Sequence, residues 1–86
     1  MPTISVFYEI IIQMFLGEHN TPHFHAKYGE FQALIGSNDF SLIEGRLPSK
    51  ALALVVEWAS VHQKESQENW TLGKNNSSFK KIEPLQ

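Results

Sequence analysis

The chain has 86 residues, seven Lys+Arg against nine Asp+Glu, a formal net charge of −2 and no cysteine. That length fits one domain over residues 1–86 with a thin core, burying only about 60–65% of its unfolded surface. The charge balance excludes a strongly basic, autonomous nucleic-acid binder, and the missing cysteines exclude disulfide staples and thiolate metal sites.

No apolar run approaches the roughly 18 residues of a membrane span, so no membrane partner is expected. The start lacks a basic region ahead of Ile10-Ile11-Ile12, so no signal peptide is visible. With cysteine also missing, the expected location is the cytoplasm.

In chain order, residues 4–16 are rich in β-branched and aromatic side chains and predict strand, with a break or bulge at Glu9. Past Glu9, Ile10, Ile12, Met14 and Leu16 share one face, and Ile11, Gln13 and Phe15 the other. Both faces are mostly apolar, which predicts a central strand. Residues 17–22 form a turn by composition, and Pro22 holds Thr21 extended. The next run alternates: His23, His25 and Lys27 on one face, Phe24, Ala26 and Tyr28 on the other. Gly29-Glu30 predicts a tight hairpin with glycine at the positive-φ position. Residues 31–35 predict a strand, 36–39 a turn, and 40–43 a fourth strand stopped at Gly45.

Pro48 suits the first turn of a helix. Ala51, Leu54, Val55, Trp58, Ala59 and His62 then recur at helical spacing, with Leu52, Val56 and Val61 widening the stripe. The pattern predicts either one helix to about Gly73 or a bend near Ser66. Phe79-Lys80-Lys81-Ile82 predicts a short edge strand protected by its lysines. The expected fold is α+β: an antiparallel β-meander of about four strands with one long C-terminal helix packed on a face. Ile12, Phe24, Ala33, Leu54, Val55 and Trp58 are the expected core.

Chemistry concentrates in Gly17-Glu18-His19-Asn20-Thr21-Pro22-His23-Phe24-His25, which holds three of the four histidines. His23 and His25 stand roughly 6.6–7 Å apart along one side of a strand, and His19 can fold back from the turn as a third contact. Three imidazoles with an open fourth position is the ligand set of a catalytic zinc site, so a divalent transition metal such as zinc is one expected cofactor. Imidazole also titrates near neutral pH, which suits acid–base work or phosphate contacts. Lys27, on the same face, favours an anion over a divalent cation. The plain alternative is a set of surface histidines and a solvated lysine with no shared ligand. These readings stay open on the residues alone.

His62, on the apolar helix face, reads as a half-buried hydrogen-bonded residue, or as a fourth site member if the helix crosses the histidine strand. Trp58 reads as core, Trp70 as a core anchor with a base-stacking platform as the alternative, and Glu57 as solvated. Lys74, Lys80 and Lys81 beside Phe79 make a locally basic segment, either a weak nucleic-acid contact or a solvated edge.

Several blocks together resemble a known family. Met1-Pro2-Thr3-Ile4-Ser5-Val6-Phe7-Tyr8, His19-Asn20-Thr21-Pro22-His23-Phe24-His25-Ala26, Ala51-Leu52-Ala53-Leu54, Glu57-Trp58-Ala59, Glu68-Asn69-Trp70 and Lys80-Lys81-Ile82-Glu83-Pro84-Leu85 are similar to the prokaryotic domain-of-unknown-function family 4160. The resemblance implies a small stand-alone protein encoded beside a second small protein, as a toxin-like half of a type II toxin–antitoxin module. It carries over His19, Pro22, His23 and His25 as a candidate site. Against the family's usual pattern, Glu9 stands where glycine is common and Gln13 where arginine is common, and Thr21 replaces the first of two prolines.

Two functions are therefore expected. In the first, a ribonuclease-like toxin uses His19, His23 and His25 to move protons around an RNA phosphodiester while Lys27 or a C-terminal lysine stabilises the transition-state charge. In the second, a non-catalytic protein-binding or metal-binding module pairs with a small antitoxin-like partner or forms a homo-oligomer.

Overall fold

The computed structural model describes residues 3–14, 22–75 and 78–85. Its strands are β1 (Thr3–Phe7), β2 (Ile10–Gln13), β3 (His23–Tyr28), β4 (Phe31–Gly36) and β5 (Leu42–Gly45), and its helices α1 (Ser49–Val61) and α2 (Gln63–Lys74). The strands form one antiparallel sheet in the order β1-β2-β3-β4-β5. The α+β class and the meander therefore match the sequence pattern, with five strands rather than four and two helices rather than one among the described residues.

The extra strand comes from a reversal where a break was expected. Phe7 pairs with Ile10, so Tyr8 and Glu9 form a two-residue turn, with φ of 48° and 66°. Positive φ at both central positions is the geometry that lets a short hairpin follow the natural twist of its strands. The segment predicted as strand with a break at Glu9 is thus a hairpin: β1 is an edge of the sheet, and β2, in the part expected to be central, lies between β1 and β3. At the far end, Phe40 has a φ of 59° and stays out of β5, which begins at Leu42. Gly29 adopts its expected positive φ, 57°. Gly45, with a φ of 78°, lies so close to β4 that an added Cβ would come within 2.2 Å of the Gln32 carbonyl oxygen.

The helical run is broken at His62, four residues before the expected bend. His62 has φ −111° and ψ 25°, outside the helical range, and belongs to neither helix. The Gln63 side chain donates to the carbonyl oxygens of Ser37 and Asn38 at 3.4 and 2.8 Å, and Gln67 donates to Asn38 Oδ1 at 3.2 Å. These bonds turn α2 toward the end of the sheet where β3 begins and β4 ends.

The core lies between α1 and one face of the sheet, around Trp58, which is fully buried. Its ring stacks on Phe7 at 5.7 Å and meets Phe24 edge-on at 5.6 Å. Of the expected core, Ile12, Phe24, Ala33, Val55 and Trp58 are buried, whereas Leu54 is only partly so.

Residues 78–85 have no regular secondary structure, so the expected edge strand does not form. They make one bond to the sheet, Ile82 N–H to the Ile4 carbonyl at 2.7 Å. The buried Asn69 amide instead takes both backbone groups of Lys80, donating to its carbonyl and accepting from its N–H, each at 2.7 Å. Among the described residues no helix is long and apolar enough to cross a membrane.

Candidate functional site

The sheet register decides which side chains share a face. Thr3, Gln13, His25, Leu34 and Glu44 form one row across all five strands, and Val6, Ile11, Lys27 and Gln32 form the next. Both rows lie on the side away from α1. The alternate rows, including Ile12-Ala26-Ala33 and Phe7-Ile10-Tyr28-Phe31, face the core. The two-residue period of β3 thus puts His25 and Lys27 on the outer face, as the alternation predicts.

His23 shares their side of β3 but not their exposure. It is 1% exposed, and its ring packs 4.9 Å from Trp70 of α2 and 6.1 Å from His25. The helix tied to the end of the sheet covers the first residue of β3, and its indole fills the space above the imidazole. His23 is therefore a packed ring rather than an open one.

His25 is half-buried between Gln13 and Leu34. Burial and the neighbouring His23 hold its imidazole below the usual histidine range, and the Glu44 carboxylate opposes them. The ring is accordingly neutral at physiological pH and able to accept a proton. A shallow hollow of about 130 Å³ opens beside it, lined by Gln32, Leu34, Glu44 and Gly45 among others. Lys27 stands half-buried in the neighbouring row.

Of the expected three imidazoles, His23 and His25 are placed as above, and His19 lies outside the described residues. Among the described residues no group of three or more His, Asp or Glu side chains could hold a metal ion. His62 is not part of this face. Its Nδ1 meets Glu65 Oε2 at 2.6 Å and its ring lies 5.8 Å from Trp58, on the helix side, in keeping with the structural reading. Lys80 and Lys81 are exposed on the C-terminal segment.

Sequence reasoning missed Gln13 and Glu44 as neighbours of His25. The β3–β4 hairpin fixes His25 opposite Leu34, but Glu44 reaches that row only because β5 carries an extra residue between Leu42 and Glu44. A count from the turn alone places it wrongly.

One family model, Domain of unknown function (DUF4160), matches residues 9–71, from the first hairpin turn to the last turns of α2. No curated protein and no solved structure matches the chain.

Proposed function

The chain belongs to the family described as Domain of unknown function (DUF4160), and from that premise we propose that it is one half of a two-protein, toxin–antitoxin-type module and works by binding a small cognate partner protein. The observation that carries this reading is the pair Val6 and Ile11. They are cross-strand neighbours on the outer face, 54% and 37% exposed. Grouped apolar side chains on one sheet face favour an interaction surface more than scattered ones do. Lys27, opposite Ile11 on β3, adds a cation at the rim of that patch. A partner with its own small apolar patch and a carboxylate facing Lys27 fits this surface.

The test is co-expression with the small protein encoded beside it. The two should co-purify, and Val6→Lys or Ile11→Lys should abolish the complex while leaving the melting temperature within about 1–3 °C, as exposed substitutions usually do. A stable chain that neither arrests growth nor binds its neighbour would contradict the proposal.

A second reading has its own support in His25. A half-buried, neutral imidazole near a carboxylate suits a general base for RNA phosphodiester cleavage, with Lys27 beside it to stabilise added negative charge. Against it stands the formal charge of −2, since RNA affinity rests largely on cationic contacts. Loss of RNA cleavage in His25→Ala, with folding intact, would favour this reading. A metal-binding variant would show as zinc retained by protein purified without a histidine tag.

A further inference from the structure

Residues 78–85 sit in a groove between β1, α1 and α2, held by contacts that read backbone rather than side chains. Asn69, 1% exposed, pairs with both the N–H and the carbonyl of Lys80. The Ile4 carbonyl accepts from Ile82 N–H, and Trp58 Nε1 donates to the Glu83 carbonyl at 2.9 Å. Phe79, Ile82 and Leu85, three residues apart, pack against the core, while Lys80, Lys81, Glu83 and Pro84 stay exposed. Fixed polar groups that engage an extended backbone, with apolar seats at regular spacing, are the chemistry by which proteins bind peptides.

The segment does not fill its groove. On one side a hollow of about 440 Å³ runs along β1 past Ile4, Ser5 and Val6 to Glu65. On the other a hollow of about 540 Å³ lies between Lys80 and the Lys64–Leu72 face of α2. In the first hollow, the buried Ser5 hydroxyl has no hydrogen-bond partner among the described residues.

We infer that this groove is a peptide-binding site, occupied in the free chain by its own residues 78–85, which an extended segment of a partner protein displaces. The preferred ligand carries apolar residues at three-residue spacing. Its residue after the first of these offers a free N–H and carbonyl to Asn69, which excludes proline there. The inference goes beyond the outer-face reading, because the groove runs between β1, α1 and α2 and shares only Val6, at the β1 edge, with the outer-face patch. The tethered segment competes with any added peptide, so apparent affinity rises with the fraction of chains whose groove is open.

The probe is a fluorescent peptide of residues 78–85, titrated into the full chain and followed by anisotropy. Lys80→Pro in the chain removes the N–H that Asn69 accepts while leaving the groove walls unchanged, so it should bind the peptide at least about tenfold more tightly than the wild type. The same peptide carrying Ile82→Asp should not bind. Equal affinity for both chains, or for a scrambled peptide, would overturn the inference. Should Lys80→Pro fail to fold, hydrogen exchange on the wild type decides. The Lys80 and Ile82 amides should exchange by local opening, faster than those of β3 and β4. Exchange of these two amides only through global unfolding would mean that the groove never opens. A wild-type dimer whose two copies swap residues 78–85 would also overturn the partner assignment, making a second copy the occupant.

Discussion

Replacing Glu9 with glycine should make the protein more stable, although it removes a side chain. Tyr8 and Glu9 hold φ of 48° and 66°, the left-handed region. A non-glycine residue there costs roughly 1–2 kcal/mol, because Cβ crowds the following carbonyl oxygen. Glycine carries no such cost but brings about 0.5–1 kcal/mol of extra unfolded-state entropy. At the centres of these ranges the difference is a gain of about 0.8 kcal/mol. At roughly 4–8 °C per kcal/mol for a domain of this size, the melting temperature should rise by about 3–6 °C. Glu9 is exposed, so little packing is lost. Thermal melts by circular dichroism on Glu9→Gly and Glu9→Ala separate the backbone term from loss of the carboxylate. Alanine should give no such rise. A glycine variant no more stable than the wild type, or an alanine variant equally stabilised, would refute the turn assignment and with it the β1–β2 hairpin.

Trp58→Ala should cost about 3–5 kcal/mol in urea unfolding, since the fully buried ring bridges β1, β3 and the C-terminal segment; an unchanged midpoint would contradict its central place. Gly45→Ala should cost roughly 2–4 kcal/mol, combining positive-φ strain with a Cβ driven against the Gln32 carbonyl, and a neutral melt would mean β5 is not held as described. His23→Ala should lower stability by about 1–3 kcal/mol and His25→Ala by less than about 1, so equal effects in paired melts would contradict the unequal burial of the two rings. Stability should fall as pH falls. The folded-state pKa of His25 is depressed, so the unfolded chain takes up its proton first. The associated stability is present above about pH 6.5 and lost on the way down to the depressed value. Asp39, depressed by hydrogen bonds from the Ser41 backbone N–H and hydroxyl, acts in the same direction below about pH 4. Urea midpoints from pH 8 to pH 4 that stay flat, and the disappearance of no part of the slope in His25→Ala, would contradict this.

The meander was legible because alternation is strict where one face is buried. Phe24-Ala26-Tyr28 against His23-His25-Lys27 can be placed only one way. The reversal at Tyr8-Glu9 was not, because neither residue announces a turn with positive φ. The helix break at His62 was hidden for another reason: Gln63 and Gln67 fix it through bonds to Ser37 and Asn38, more than 20 positions away in sequence. The same holds for the C-terminal segment, where Asn69 takes the backbone groups a strand needs. At the candidate site, the shared side of His23, His25 and Lys27 followed from the period of two. The burial of His23 did not, because it depends on Trp70 arriving from α2.

The outer face as the working surface is tested most directly by amide mapping. Isotopically labelled chain is titrated with the proposed small partner protein, and backbone shifts are followed residue by residue. The account predicts that the largest changes fall on Val6, Ile11, Gln13 and Lys27. Binding that leaves these amides unmoved, with changes confined to the exposed faces of α1 and α2, would contradict it.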